Sequence, residues 1–271
     1  MTANNPGNLA LLIDGDNVSS KIIGGLMAEI ASYGTASVRR IYGDFTNTNL
    51  RGWKDCLLAH SIIPIQQFAY TTGKNATDGA MIIDAMDLLY TGRFSSFCLV
   101  SSDSDFTRLA ARIREQGVKV YGFGERKTNN AFVAACDKFV YFDVLNLSVG
   151  EPEQNTRAII SPGPLLLNTS PPAPKPTNPS KPSTRPLDNT ALNGLATAIT
   201  NSTPYAQDDY VNLADVGLQM SKISPDLNAR NYGYNKLWEF VEASGIAEMK
   251  RKDMGQHPSI ALVRLKKRRL E

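Results

Sequence analysis

The first 145 residues alternate short apolar runs with longer segments of helical periodicity, and this alternation restricts the fold more than any other feature. Six runs have the length and composition of buried strands: Leu9–Ile13, Ser37–Tyr42, Ile62–Tyr70, Phe97–Ser101, Val118–Phe123 and Phe139–Phe142. Five helix-length segments lie between them: Lys21–Tyr33, Leu50–His60, Thr77–Tyr90, Phe106–Gln116 and Asn129–Cys136. Strands that alternate with helices form parallel sheets covered on both faces, so we predict a three-layer α/β/α domain.

A proline-rich stretch separates this domain from the rest of the chain. Eleven of the fifteen prolines fall between Val149 and Pro204, where aromatic residues and sustained periodicity are lacking. This composition is typical of an extended, disordered linker. We therefore predict a first domain at 8–148, a flexible linker at 149–204 and a second domain at 205–271.

Composition limits the chemistry and the compartment. The three cysteines, Cys56, Cys98 and Cys136, have no CxxC spacing, which favours a reducing cytoplasm over a disulfide framework or a zinc site. Only two histidines are present, so a bound metal would need oxygen ligands. The apolar runs are too short to cross a bilayer and no secretory signal is apparent, so we expect no membrane association.

Acidic residues follow two of the predicted strands. Asp14 ends the first strand in LLIDGDN, with Asp16 and Asn17 just after it, and Asp103 and Asp105 follow the fourth strand in CLVSSDSDF. Aspartates often only cap turns, but a full set at matching strand ends favours the ligand-binding edge of a parallel sheet. Carboxylates gathered there repel one another unless a divalent cation is bound. Oxygen ligands without histidine indicate Mg²⁺ or Mn²⁺.

The segment TDGAMIIDAMDLL supplies a further carboxylate. We predict Thr77 as the N-cap of its helix and Asp78 as the first acidic residue, although the helix dipole alone also favours an acid there. Asp84 lies six residues later, about 240° around the helix, so the two side chains cannot easily face one metal. We prefer Asp78 as the ligand and keep Asp84 as the second choice.

These motifs, together with GVKVYGFGERKTNNAFVAACDKFVYFD, resemble the bacterial NYN domains of the PIN-like nuclease superfamily over roughly residues 8–145. The resemblance implies a PIN-like fold and metal-assisted hydrolysis of single-stranded RNA. It assigns Asn17 to orienting a ligand or the attacking water. It assigns the metal to Asp14, Asp78, Asp103 and Asp105.

Two alternatives remain open at this point. Asp14-Gly15-Asp16-Asn17-Val18 approximates the DxDx[TV] loop of haloacid-dehalogenase-type phosphatases, in which Asp14 would be the nucleophile. That fold inserts a flap hairpin after the loop, whereas this chain continues directly into an amphipathic helix. The other alternative is a non-catalytic RNA-binding regulator with the same two domains.

Several residues near the predicted edge are candidate RNA contacts. Relatives carry a Lys-Gly pair shortly before the helix aspartate, and here Lys74 lies four residues before Asp78 in GKNATD. Arg126 and Lys127 follow the fifth strand and are candidates for phosphate contact. Aromatic residues after the second strand could stack on bases, although core packing is the stronger prediction for Trp53: Tyr42, Phe45 and Trp53.

The C-terminal segment combines amphipathic helices with two basic extended segments, IAEMKRK and SIALVRLKKRR. Together with NLADVG and NYGYNKLWEFVEASG, they resemble an OST-HTH/LOTUS domain of winged-helix layout over about 206–267. The resemblance implies a module that binds RNA or docks on a protein, and a flexible tether would concentrate RNA at the nuclease site. The candidate phosphate contacts are Lys250, Arg251, Lys252, Arg264 and Lys266.

Overall fold

The structure, a computed structural model, describes residues 7–68, 76–145, 184–205, 209–254 and 257–266. In the first domain six strands form a single parallel sheet. They are β1 (Asn8–Asp14), β2 (Thr35–Gly43), β3 (Ile63–Gln66), β4 (Ser96–Val100), β5 (Lys119–Gly124) and β6 (Lys138–Tyr141). The predicted strands are confirmed with small changes of boundary, except that the third ends at Gln66 and residues 69–70 lie outside the described part.

The strand order β3-β2-β1-β4-β5-β6 places a switch point at the centre of the sheet. The chain moves outward in one direction from β1 and in the other from β4, so the loops that leave these two strands diverge. A crevice opens at the carboxyl ends of the two strands, which is where ligands of open parallel sheets bind.

Helices cover both faces of this sheet, because the side chains of each buried strand alternate between two apolar layers. Ala10 and Leu12 of β1 pack with one layer of helices, whereas Leu11 and Ile13 pack with the other. The first layer contains α3 (Ala76–Tyr90), α4 (Thr107–Glu115) and α5 (Asn130–Ala135). The second contains α1 (Ile23–Ala31), α2 (Arg51–Leu57) and α6 (Phe142–Leu145). The predicted α/β architecture is confirmed.

The second domain is helical with a small antiparallel sheet. Its elements are α7 (Asn189–Asn201), β7 (Val211–Asn212), α8 (Leu213–Ile223), α9 (Leu237–Ser244), β8 (Ala247–Met254) and β9 (His257–Leu265). The sheet order is β7-β9-β8, and a core around Leu195, Val216, Phe240 and Val263 joins helices to sheet.

The second domain begins earlier than the sequence pattern predicted. Helix α7 lies inside the segment assigned to the linker, and its apolar face, including Leu195 and Ile199, is buried in the domain core. Asp188 accepts a hydrogen bond from Ala191 N at 2.8 Å and caps this helix. The segment was missed because prolines lie on both sides of it, at Pro186 and Pro204, and because the small residues of α7 give only a weak apolar pattern. The linker residues 149–183 lie outside the described part of the chain.

Cys98 and Cys136 are buried, Cys56 is partly buried, and all three are free thiols. Across the described residues, every helix is too short or too polar to cross a membrane.

Candidate active site

Asp14 lies at the carboxyl end of β1, at the switch point, and its side chain is fully buried. Its Oδ2 accepts two hydrogen bonds, from Asn17 Nδ2 at 2.7 Å and from Ser101 Oγ at 2.7 Å. Its Oδ1 is buried and has no hydrogen-bond partner among the residues that the structure describes. Burial raises the pKa of Asp14 above its ordinary value, and the bonds from Ser101 and Asn17 partly oppose this effect.

The loop after β4 supplies two more carboxylates. Ser101 Oγ accepts from Asp103 N at 3.0 Å, and Asp103 Oδ1 accepts from Asp105 N at 2.9 Å. Asp103 thereby caps the single turn Ser104–Phe106 that leads into α4. These local bonds make the loop turn at the sheet edge, with Asp103 half-buried and Asp105 exposed.

Asp78 comes from the first turn of α3 and joins the other two acids. Carboxylate oxygens of Asp78, Asp103 and Asp105 lie within 4.8 Å of one another. Burial raises the pKa of Asp78 to about 6, and the negative charges of Asp14, Asp103 and Asp105 add to this effect. The five predicted site residues Asp14, Asn17, Asp78, Asp103 and Asp105 therefore come together at one edge of the sheet.

Asp84, the second choice for the metal, is engaged elsewhere. Its carboxylate accepts from the guanidinium of Arg40 and from the hydroxyl of the buried Tyr42. These two contacts fasten the middle of α3 to β2. Thr77 lies within the helix, where its hydroxyl donates to Asp16 Oδ2 at 2.6 Å.

Two models of protein families match parts of this chain. A model of the NYN domain matches residues 8–146, which is half of the chain. The chain belongs to the NYN domain family. A model of the OST-HTH/LOTUS domain matches residues 191–259, so both predicted resemblances are confirmed.

Other comparisons add little to the family assignment. Curated protein sequences contain no match. Among solved structures, the chain is similar to a protein of unknown function from Vibrio parahaemolyticus, with 19% sequence identity and a TM-score of 0.44. That similarity covers 52% of this chain and 96% of the other, and it does not bear on function.

The aromatic residues near the NYN site pack in the core. Tyr42 is fully buried, and Trp53 is 1% exposed with its indole N–H donated to Val18 O at 3.0 Å. Base stacking by Tyr42 is therefore wrong, because its ring is buried, whereas the core packing preferred for Trp53 is confirmed. Phe45 is partly buried against the same apolar layer as Trp53.

The predicted phosphate contacts around the NYN site differ in their surroundings. Lys74 lies outside the described residues. Lys127 is exposed and pairs with Glu125 at 2.8 Å. The guanidinium of Arg126 pairs with Asp143 at 3.0 Å and lies over the ring of Tyr141, 4.1 Å from its centroid. Arg126 remains a predicted RNA contact, but this guanidinium is already held by its neighbours.

The OST-HTH domain brings aromatic rings onto its basic hairpin. Lys250 Nζ lies 3.9 Å and Arg264 Cζ 4.6 Å from the ring centroid of Tyr210. Lys252 Nζ lies 5.0 Å from that of Tyr205. On the other face of β8, Arg251 Cζ lies 5.2 Å from the Trp238 ring, and Lys266 follows the end of β9.

The sequence interpretation missed these rings, because they come from other segments of the domain and reach the cations only in the folded structure. It also missed Ser101. The signal for this residue was its position directly after β4 in LVSSDSDF, on the strand beside Asp14.

Proposed function

We propose that this protein is a divalent-metal-dependent ribonuclease that hydrolyses phosphodiester bonds of single-stranded RNA. The observation that carries the proposal is Oδ1 of the buried Asp14, which lacks a partner within the described part of the chain and lies beside three clustered carboxylates. A buried carboxylate oxygen without a donor is costly unless a cation compensates it. The donor set consists of oxygen atoms alone, which are the ligands that Mg²⁺ and Mn²⁺ prefer.

Asp14, Asp78, Asp103 and Asp105 would hold the cation. When bound, it lowers the pKa of a water molecule and neutralises charge that develops on the phosphate. Asn17 and Ser101 hold Oδ2 of Asp14 and leave Oδ1 for the ligand, so the carboxylate is oriented before substrate arrives. This chemistry needs no covalent intermediate on the protein.

The OST-HTH domain would hold the RNA. Lysine and arginine side chains contact phosphates, and aromatic rings stack on unpaired bases. Both kinds of residue meet at the hairpin, where the side chains of Lys250 and Arg264 lie near the ring of Tyr210. This mixture favours a flexible single strand over a small phosphomonoester.

The test is cleavage of end-labelled single-stranded RNA by the full chain, with Mn²⁺ and with a chelator. We expect wild type to cleave only with the metal. Asp103→Asn should lose activity by about 100-fold or more, because it removes a charged ligand. Asp87→Asn is the matched control, since Asp87 is an exposed acid of α3 outside the cluster.

Three results would contradict the proposal. Equal cleavage by wild type and Asp103→Asn would indicate a contaminating nuclease. RNA binding without metal-dependent cleavage would favour the regulator. Transient phosphorylation of Asp14 by a phosphomonoester would favour the phosphatase.

A further inference from the structure

The outer edge of β6, the last strand of the NYN sheet, is covered by the OST-HTH domain. Phe139 N donates to Pro225 O at 2.9 Å, and Tyr141 N donates to Asn231 Oδ1 at 3.1 Å. Phe139 O accepts from the amides of Asn228 at 3.1 Å and Asn231 at 2.8 Å. Alternate residues of a strand point their main-chain groups to the same side, so these groups belong to the edge away from β5. An edge that would otherwise face solvent is therefore paired.

The side chain of Asn231 makes the hydrogen bonds to β6 that the main chain of a neighbouring strand would otherwise make. Its side-chain amide presents one acceptor and two donors, as a peptide group presents an acceptor and a donor, and it is 1% exposed. The amide nitrogen also donates to Asp226 O at 2.9 Å, which fixes its orientation. Every polar atom of this buried side chain has a partner, as expected of a specific contact.

A buried ion cluster lies at the start of β6. Glu29, from α1, is 7% exposed and accepts from Arg230 Nε of the second domain at 2.8 Å. Lys138 Nζ lies 3.5 Å from its other oxygen, to which Tyr33 also donates a hydrogen bond. Burial alone would raise the pKa of Glu29. The hydroxyl of Tyr33 and the charges of Lys138 and Arg230 outweigh burial and hold it below its ordinary value.

Contacts at the other end of β6 also involve the loop Pro225–Asn231 of the OST-HTH domain. The hydroxyl of Tyr141 donates to Asp226 Oδ2 at 2.9 Å, and Arg126 Nη2 donates to Asn231 O at 2.9 Å. Together with the cluster around Glu29, they hold the loop Pro225–Asn231 along the whole strand.

We infer that the OST-HTH domain has a second binding function, which is recognition of the open edge of the NYN sheet in its own chain. The loop Pro225–Asn231 is the binding element, and the two domains work as one body rather than as independent units on a tether. The bonds described above use neither β8 nor β9, so docking leaves the basic hairpin available for a different ligand. The buried Glu29 supports a lasting contact, since loss of Arg230 would remove a partner of a buried charge.

The first experiment places a specific protease site in segment 150–183 of the full chain and cuts it. We expect the two halves to elute together in gel filtration. Separation of the wild-type halves at micromolar concentration would overturn the inference.

Charge variants then test the contact itself. Arg230→Glu places an acid beside Glu29 and should raise the dissociation constant of the cut halves by about 10-fold or more. Glu29→Lys combined with Arg230→Glu should recover part of this loss. Lys222→Glu, an exposed residue of the same domain, is the matched control and should change little. An unchanged constant in Arg230→Glu would contradict the assigned interface.

Hydrogen exchange provides a measurement that needs no variant. The amides of Phe139 and Tyr141 should exchange slowly in wild type, because their only described acceptors belong to the second domain. Fast exchange at both would overturn the inference. A pull-down tests whether the two domains dock within one chain or between chains. If a tagged chain recovers an untagged chain, and Arg230→Glu abolishes this recovery, docking occurs between chains and the inference is overturned. These readouts use neither RNA nor metal, so they are independent of the proposed nuclease activity.

Discussion

Ser101 Oγ donates a hydrogen bond to Asp14 Oδ2 at 2.7 Å, and this bond joins the ends of the two central strands of the sheet. Ser101 also accepts from Asp103 N, so a single hydroxyl links the β1 carboxylate to the β4 loop. The protein thereby orders the acidic edge with its own hydrogen bonds. A cation would therefore bind to carboxylates that are already in position, and it would not be needed to bring them together.

Asp78→Asn should stabilise the metal-free protein. Burial and the neighbouring carboxylates raise the pKa of Asp78 to about 6, so its charged form is destabilised at pH 7.5. Removal of the charge should add about 1–2 kcal/mol to the free energy of unfolding. Chemical denaturation in a chelator measures this change. A less stable Asp78→Asn variant would mean that the acids do not repel one another as described.

Divalent cations should stabilise wild type by about 2.7 kcal/mol when Mn²⁺ is at 100 times its dissociation constant. Asp103→Asn should lose most of this gain. Asp84→Asn should keep it, because Asp84 is bound to Arg40 and Tyr42. Thermal unfolding with and without Mn²⁺ compares the three proteins. Loss of the gain in Asp84→Asn would restore Asp84 as a ligand.

The sequence predicted the acidic edge well for a physical reason. Strand ends can be located from apolar runs, and parallel topology brings those ends together whatever the details of packing. Helical geometry also predicted that Asp78 and Asp84 face different directions, and in the structure Asp84 is bonded to Arg40 and Tyr42. The prediction of Thr77 as an N-cap was wrong, because Thr77 lies within the helix and its hydroxyl donates to Asp16.

Asn231→Ala should uncouple the two domains. The substitution leaves Tyr141 N–H without its acceptor and removes one donor to Phe139 O, at a cost of about 2 kcal/mol. Calorimetry should then resolve two unfolding transitions, whereas we expect a single transition for wild type. Asn201→Ala, at the exposed end of α7, is the control and should retain the single transition.

Acid should weaken the docking. The pKa of Glu29 in the folded protein lies below its ordinary value of 4.5. The contribution of the charged Glu29 to the stability of docking is therefore complete above pH 4.5, and it is lost as the pH falls through the lowered pKa. The groups that face it are Tyr33, Lys138 and Arg230. The dissociation constant of the cut halves should be constant from pH 6 to 7.5 and should rise below about 4.5. A constant that rises between pH 6 and 7.5 would contradict this assignment.

If the nuclease proposal holds, docking should also fix where RNA is cut. A structured RNA held on the hairpin would meet the acidic edge at one distance in wild type. Arg230→Glu should spread cleavage over more positions, whereas its rate on short unstructured RNA should change by less than about twofold. Primer-extension mapping measures the positions. If Arg230→Glu leaves the cleavage positions unchanged, docking does not determine where the RNA is cut.

The interface between the domains was beyond the reach of sequence patterns. A proline-rich stretch predicts independent motion of the units on either side, and it does not reveal a partner for β6. Asn228 and Asn231 look like ordinary loop residues in the sequence, because the hydrogen bonds that join them to β6 are to a main-chain group about 90 residues away. Tyr210 was missed for a similar reason, because it meets Lys250 and Arg264 only after folding.

The covered edge of β6 has a consequence for any shortened form of the protein. Without the second domain, the NYN sheet would end in a strand whose N–H and C=O groups are open to any passing extended chain. Such edges promote self-association and fibril growth, and natural proteins usually protect them with charge, proline or a bulge. Here another domain provides the protection. Removal of the OST-HTH domain would therefore expose the NYN domain to aggregation.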